Sequence, residues 1–325
     1  MKTRKFEINL LNNELAYPVD IFICCGSYEN RCRSIPDIVD PERISHAIVV
    51  ENKDLSIYVG ENSQYLRDRF GEKTIDLATD SGNPVLTADN ILSSLKSLKN
   101  KSPQKYVIDI TTFRHESLLI LINLLKQMTT PDDRIDLLYV SASDYSIGDE
   151  IKDKWLSKGV ATVRSILGYS GDFSPSKKMH LIIIVGYEHQ RASALIDILE
   201  PSKISLGHGK SSSVTDDKHM AAQEFFYKML KNMMVLRGNV DEFEFSCNDP
   251  LETRDAILLQ SKKYFDYNVV VAPMNTKLST VGAGLATFIN NEIQLCYAQA
   301  EQYNNHGYSS PGTNCYMFEL SKYLW

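Results

Sequence analysis

Four basic residues stand where strand-like apolar runs give way to expected helices. They follow the runs VDIFICC, YVIDI, HLIIIV and YNVVVA, and are Arg31, Arg114, Arg191 and Lys277. In a parallel sheet the carboxyl ends of the strands share one edge, where helix N-termini offer free N–H groups to anions. A cation is mildly unfavourable at the start of a helix, so its recurrence at four such corners favours anion recognition over four unrelated surface charges.

Three side chains at the same corners could transfer protons. Glu29 and Glu188 lie in the first turn of expected helices, where each could cap the helix, orient the nearby Arg, accept from a ribose hydroxyl or act as a general base. His115 could donate to a phosphate or act as an acid–base group. A catalytic role stays open among these three residues. Asp109, inside an apolar strand, is expected to organise its loop rather than to catalyse.

Two tyrosines and several short polar residues complete a candidate ligand site. Tyr28 and Tyr187 could stack on a base, or pack their rings and leave only the hydroxyls at the surface. The expected ligand-binding set is Ser27, Tyr28, Glu29, Arg31, Thr111, Thr112, Arg114, His115, Tyr187, Glu188, Arg191, Asn275, Thr276 and Lys277.

The chain contains the same pattern twice. Residues 19–44 and 179–204 each pass from an apolar run through Gly, Tyr and Glu to an Arg, and then to an amphipathic stretch ending in Pro and Ile. Tyr139 and Tyr297 repeat inside LLYVSASDYS and LCYAQAEQYN, at nearly the spacing that separates Tyr28 from Tyr187. Landmarks in one order at one spacing predict a tandem duplication of a domain of roughly 160 residues.

Periodicity predicts alternating strands and helices in both copies. Apolar runs without alternation, such as LIIIV, are typical of central parallel strands that are buried on both faces. We therefore expect an α/β protein of two tandem duplicated Rossmann-like domains, each with a mainly parallel, doubly wound sheet. Gly, Pro and Ser cluster in SGDFSPSKK and place the boundary there, giving domains 1–172 and 173–325. A helix is expected over 149–157, between strands that end the first copy.

Composition narrows the class of protein. The formal charge of −6 argues against nonspecific binding to duplex nucleic acid, although a local basic cluster can still bind a small anion. No apolar run approaches the roughly 18 residues of a membrane span, and the first residues lack the features of a secretory signal. Six scattered cysteines show no metal-ligand spacing, so we expect a cytoplasmic protein with no metal and no cofactor.

The segment Val107-Ile108-Asp109-Ile110-Thr111-Thr112-Phe113-Arg114, followed by a Leu-rich helix, resembles the signature of CRISPR-associated Rossmann-fold (CARF) domains. In that family the fourth strand ends in Asp-x-Thr, and Lys or Arg follows at the helix start. The Asn275-Thr276-Lys277 turn is similar but lacks the Asp. The resemblance covers about 20 residues well. It implies paired domains that bind cyclic oligonucleotide messengers, with Thr111, Thr112, Arg114 and Lys277 as the positions carried over.

Three functions fit these observations. The leading hypothesis is a sensor in bacterial antiviral defence that binds an anionic nucleotide, including a cyclic oligonucleotide, between two duplicated domains and signals to an effector protein or a second copy. An enzyme using the same residues would be a phosphodiesterase, a ring nuclease or a nucleotide N-glycoside hydrolase. A third alternative is a non-catalytic structural subunit of a larger complex. The ligand, its ring size and the partner stay open at this level.

Overall fold

The predicted apolar runs form the centres of two parallel sheets. The computed structural model describes residues 3–53, 56–100, 103–145, 155–214, 217–234, 240–305 and 309–325. The strands are β1 (Arg4–Glu7), β2 (Val19–Gly26), β3 (Ile44–Asn52), β4 (Thr74–Thr79), β5 (Lys105–Asp109), β6 (Arg134–Tyr145), β7 (Ser157–Lys158), β8 (Thr162–Ser165), β9 (Met179–Ile184), β10 (Lys203–Gly209), β11 (Val240–Phe245), β12 (Asn268–Pro273), β13 (Gln294–Gln299), β14 (Gln302–Tyr303) and β15 (Ser309–Glu319).

Helices alternate with these strands, as the periodicity predicts. They are α1 (Leu11–Glu14), α2 (Ser34–Ile38), α3 (Ser56–Phe70), α4 (Pro84–Leu98), α5 (His115–Met128), α6 (His189–Leu199), α7 (Asp217–Met233), α8 (Pro250–Lys263) and α9 (Lys277–Ile289). α4 and α8 begin alike, because Asn83 and Asp249 accept backbone N–H groups as N-caps and a Pro follows each. None of the described helices combines the length and the apolar character that a membrane span requires.

The sheets have the same strand order. In the first, β6, β5, β2, β3 and β4 lie side by side and parallel, and in the second β13, β12, β9, β10 and β11 do so. Numbered within each copy, both orders read 3-2-1-4-5, the order of a doubly wound sheet. The predicted fold class, two duplicated Rossmann-like domains with mainly parallel sheets, is confirmed.

An antiparallel strand flanks the fifth parallel strand of each sheet. β15 pairs with β6, and β1 pairs with the far side of β15. β8 pairs with β13, and the short β7 pairs with β14. In chain order, β7 and β8 come at the end of the first copy, and β15 comes at the end of the second. Each copy therefore contributes its last strand to the other copy's sheet.

This exchange explains how the observed units differ from the expected domains 1–172 and 173–325. Unit 1 consists of the described residues up to 145 and from 305 onward, and unit 2 of those from 155 to 304. SGDFSPSKK thus lies inside unit 2, because a strand before it already belongs to that sheet. Most of the helix expected over 149–157 lies outside the described residues, and Ser157 is in β7.

Each unit has its own apolar core. In unit 1 Phe22, Val49, Val107 and Met317 pack together from β2, β3, β5 and β15. In unit 2 Leu181, Leu206, Val270 and Ala298 do the same from β9, β10, β12 and β13. The central strands are buried almost throughout, as their unbroken apolar runs predict.

We predict that Phe318→Ala destabilises unit 1, although Phe318 follows unit 2 in the chain. Its ring is 1% exposed on β15, and deleting such a ring costs about 3–5 kcal/mol. Hydrogen exchange should accelerate in β2, β3 and β6 and stay unchanged in β9 and β10. Phe245→Ala, at an equally buried position on β11, is the matched control and should show the reverse. Loss of protection in unit 2 on Phe318→Ala would contradict the assignment of β15.

Candidate functional site

The loop after β2 is held close to its neighbours. A Cβ at Gly26 would lie 2.3 Å from the Ser63 hydroxyl on α3, so only glycine fits without displacing that side chain. Ser27 is buried and its hydroxyl accepts from the backbone N–H of Glu29 at 3.2 Å. Tyr28, between them, is half-buried. Tyr28 is therefore the most accessible of the expected ligand residues between 27 and 29.

Arg31 is almost fully buried and forms an ion pair with Glu29. Its Nη2 lies 2.8 Å from Glu29 Oε2, and the two side chains are 3% and 7% exposed. Arg31 also donates from Nη1 to the Val140 carbonyl at 3.1 Å and from Nε to Ser309 Oγ at 2.8 Å. The Ser309 hydroxyl donates to the same Glu29 carboxylate. One guanidinium thus joins the loop after β2 to β6 and β15.

Unit 2 repeats the contact among Glu, Arg and Ser. Arg191 Nη2 lies 2.7 Å from Glu188 Oε2, with 4% and 7% of the side chains exposed. Arg191 Nη1 donates to Ser157 Oγ at 3.3 Å, and the Ser157 hydroxyl donates to Glu188. Ser157 opens β7 as Ser309 opens β15. The serine of an exchanged strand therefore meets a buried Glu–Arg pair in both units.

A pair of tyrosines completes each cluster. The hydroxyls of Tyr139 and Tyr145 lie 3.2 Å apart, and those of Tyr297 and Tyr303 lie 3.1 Å apart. Tyr145 is the register partner of Ser309, and Tyr303 is the register partner of Ser157. We call these the first ionic cluster (Glu29, Arg31, Tyr139, Tyr145, Ser309) and the second ionic cluster (Glu188, Arg191, Tyr297, Tyr303, Ser157).

The two clusters contain four residues that the sequence placed in the ligand site. The carboxylates of Glu29 and Glu188 neutralise Arg31 and Arg191 at close range, and all four side chains are buried. Such a pair fits the holding of a strand better than proton transfer or phosphate binding, and the ligand and catalytic roles of these residues stay predictions. The spacing of Tyr139 and Tyr297 helped to identify the duplication. The role of Ser157 and Ser309 could not be predicted from sequence, because each serine contacts residues of the other copy.

The side chains of the loop after β5 hold its backbone and connect it to neighbouring strands. Asp109 is buried and its carboxylate accepts from the Thr111 backbone N–H at 3.0 Å. Thr111 Oγ1 accepts from the Val140 backbone N–H at 3.1 Å, and Thr112 Oγ1 donates to the Cys25 carbonyl at 2.7 Å. Burial raises the pKa of Asp109 to about 7, against the opposing effect of its bonds to Thr111. Both hydroxyls expected to meet a ligand thus also tie this loop to β2 and β6.

Arg114 and His115 begin α5 and are half-buried. Arg114 has the extended backbone of an N-cap, and its carbonyl accepts from the N–H of Leu118. Its side chain lines a small pocket at the ends of β3 and β4, with Asn52, Thr79 and Glu116 among the other lining residues. The cavity volume is about 10 Å³, close to what one water molecule occupies. Most of the lining residues have polar side chains, and the pocket lies at the edge of the sheet where ligands of this fold bind.

The loop after β12 makes a corresponding hydrogen bond to the end of β9, but through a different side chain. Asn275 Nδ2 donates to the Val185 carbonyl at 2.6 Å, as Thr112 does to Cys25 in unit 1. Thr276 is the N-cap of α9, accepting from the Ser279 N–H and donating to the Cys247 carbonyl at 2.5 Å. Lys277 follows at the first helical position and is half-buried. The structure thus places Arg114 and Lys277 at corresponding helix starts.

Tyr187 packs against α7. Its ring lies 5.6 Å from that of Phe226, and its hydroxyl donates to the His219 carbonyl at 3.3 Å. The ring of His189 stacks on the same Phe226 at 5.3 Å, and burial lowers the pKa of His189. Tyr187, one of the two tyrosines expected to stack on a base, is therefore engaged by aromatic packing within its own unit.

The described residues contain no group of three or more His, Cys, Asp or Glu side chains arranged to hold a metal ion. All six cysteines are buried thiols outside any disulfide, and burial raises the pKa of Cys32, Cys247 and Cys296 to about 12. Thiols of such high pKa are poor nucleophiles, so the geometry gives no support to cysteine catalysis.

The chain matches no protein-family model and no curated protein. Among solved structures it is similar to a DNA nuclease of type III CRISPR defence that is activated by cyclic oligoadenylate, with a TM-score of 0.53 and 8% identity over 82% of this chain. The chain spans 64% of that nuclease. At this identity the likeness shows the Rossmann-like fold alone.

Weaker matches include the pyocyanin biosynthetic protein PhzM, with a TM-score of 0.25, 13% identity, and coverage of 44% of this chain and 38% of PhzM. An S-adenosylmethionine-dependent methyltransferase from Clostridium acetobutylicum gives 0.24 and 9%, covering 43% of this chain and 54% of the methyltransferase. Likeness at these TM-scores carries no argument about function.

We predict that Asp109→Asn stabilises the protein at pH 8 and much less at pH 5. The folded-state pKa of about 7 lies above the unfolded value of about 3.9, so the folded state retains a proton that the unfolded state releases. This carboxyl therefore supports folding fully only below about pH 4, and its contribution falls as the pH rises to 7. Urea unfolding should show the advantage of Asp109→Asn growing by about 1–3 kcal/mol between pH 5 and pH 8.

The exposed Asp132→Asn is the matched control, since it makes the same chemical change at a solvated position. Equal pH dependence of the two variants would contradict a raised pKa at Asp109.

Proposed function

We propose that the protein is a nucleotide sensor of bacterial antiviral defence that binds an anionic ligand of the cyclic oligoadenylate class. The observation that carries the proposal is the fold shared, over 82% of the chain, with a nuclease activated by cyclic oligoadenylate. The CARF-like segment from Val107 to Arg114 supports it, because it occupies the end of β5 and the start of α5.

We infer one phosphate site at the start of α5 in unit 1 and one at the start of α9 in unit 2. Each start combines a basic side chain, Arg114 or Lys277, with helical N–H groups at the positive end of the helix dipole. Arg114 can bind a phosphate through two parallel hydrogen bonds, and Lys277 acts as a point charge. Arg31 and Arg191 contribute less to binding, because buried carboxylates already neutralise them.

Sensing without turnover fits the carboxylates better than catalysis does. Glu29 and Glu188 are buried, ion-paired and hydrogen-bonded by serine, so neither can accept a substrate proton without breaking its pair. The bound state is read by an effector protein or a second copy. Six buried thiols outside disulfides fit a reducing compartment, and we place the protein in the cytoplasm.

We predict that a cyclic oligoadenylate raises the melting temperature by several degrees when present at about 100 times its Kd. A ligand that binds only the folded state adds about 2.7 kcal/mol at that concentration. Arg114→Ala and Lys277→Ala should each weaken binding at least tenfold, since a hydrogen bond to a charged group contributes about 1.5–3 kcal/mol. Differential scanning fluorimetry with cyclic and linear oligoadenylates measures both effects.

The controls are Lys96→Ala and Lys262→Ala, which remove exposed charges from the last turns of α4 and α8. Loss of the shift in these variants would point to nonspecific attraction. A ligand-induced shift that survives both Arg114→Ala and Lys277→Ala would refute the two phosphate sites.

We also predict that the ligand is recovered intact. After an hour with the protein, chromatography should return the cyclic oligoadenylate without linear products. Conversion that His115→Ala abolishes would establish a ring nuclease or phosphodiesterase instead. Conversion that Glu29→Gln or Glu188→Gln abolishes, in a variant that keeps its parent's melting temperature, would do the same for the carboxylates.

A further inference from the structure

The first exchanged residues of each copy are poorly fixed by backbone pairing, both in β15, which joins the first sheet, and in β7, which forms a separate two-stranded sheet with β14. β15 pairs with β6 at Ser309 and Ser310, but the register then shifts around Pro311 and becomes regular only from Cys315. β7 and β14 share just two residue pairs. Short or interrupted ladders specify register weakly, so something other than backbone hydrogen bonds must hold these strand starts.

We propose that the two ionic clusters are locks that fix the exchanged strands, with Glu29, Arg31, Glu188 and Arg191 as positioning residues. The first cluster meets β15 at Ser309, before the register shift. The second meets β7 at Ser157, within the two-residue ladder. Both clusters therefore bind the exchanged strand where the ladder is weakest.

Arg31 has the contacts that such a lock requires. It donates to the Val140 carbonyl of β6 and to Ser309 Oγ of β15, and so bridges two strands of an irregular antiparallel pair. Glu29 accepts from both Arg31 and Ser309, which closes the triangle. The ring of Tyr145, the register partner of Ser309, lies 5.3 Å from the guanidinium. A strand slipped by one residue would turn Ser309 to the other face and break these bonds.

The second cluster argues against coincidence. Glu and Arg are two residues apart at the first corner and three residues apart at the second, so local helix geometry does not dictate the pair. Yet both Glu–Arg pairs are buried. In each, the Arg donates to a serine hydroxyl that itself donates to the Glu, and this serine is the register partner of Tyr145 or Tyr303. The two copies therefore make the same contact with different spacings between Glu and Arg.

The test compares hydrogen exchange in the full-length protein, without ligand, for Ser309→Ala and Ser157→Ala. Ser309→Ala should accelerate exchange at least tenfold in peptides covering 309–314 and leave 155–165 unchanged. Ser157→Ala should accelerate exchange in 155–158 and leave 309–314 unchanged. Removing one hydroxyl spares the buried charges, so both variants are expected to fold.

Ser143→Ala is the matched control. Its hydroxyl also joins β6 to β15, donating to the Ser310 carbonyl, but it is exposed and outside the cluster. Exchange in 309–314 should not change in this variant. Arg31→Lys, which keeps the charge but cannot bridge β6 and β15, should match or exceed the effect of Ser309→Ala in 309–314.

Two results would overturn the locks. One is the same exchange for Ser309→Ala and Ser143→Ala. The other is a uniform acceleration across unit 1, which would mean that the hydroxyl contributes only to overall stability. Since no nucleotide is involved, these results are independent of whether the protein senses one.

Discussion

A guanidinium that is buried in a protein stays charged, and its surroundings must supply both a counter-charge and hydrogen-bond acceptors. Arg31 and Arg191 impose this requirement on both units of the chain. Each is met by a carboxylate from its own loop and by a serine from a strand that the other copy contributes. The loops after β2 and β9 are thereby tied to the strands that complete their sheets. Their buried charges satisfy each other, which makes Arg31 and Arg191 poorer candidates for binding an external anion.

The two copies keep one architecture while their chemistry has diverged. The loop after the fourth parallel strand is tied to the end of the first by a threonine hydroxyl in unit 1 and by an asparagine amide in unit 2. A buried carboxyl with a pKa of about 7 ends β5, whereas β12 ends in Ala272 and Pro273. The basic residue at the next helix start is Arg in one unit and Lys in the other. Corresponding corners of the two units therefore present different side chains.

The candidate site was only partly predictable, because sequence shows which residues stand at a strand end but not what they contact. Apolar runs and helix periodicity located all four corners, and Arg114 and Lys277 do begin helices there. The same reasoning treated Arg31 and Arg191 as equivalent to them. Whether a cation faces a ligand or a buried carboxylate depends on the residues that approach from elsewhere. For these two arginines the sequence allowed the local pairing, because each Glu could orient the nearby Arg. It gave no sign of the serines Ser309 and Ser157, which lie farther along the chain.

Local and repeated features were predictable from the sequence: which segments are central strands, where helices begin, that the domain occurs twice, and that the fold is Rossmann-like. These follow from periodicities of two and 3.6 residues and from landmarks at one spacing, which are properties of short stretches of chain. Which sheet receives β8 and which receives β15, and hence where one unit ends and the other begins, could be seen only in the folded protein. A strand that pairs antiparallel with a fifth parallel strand has the same sequence pattern in either sheet. That choice depends on contacts between residues far apart in the chain, such as Met317 of β15 in the core of unit 1.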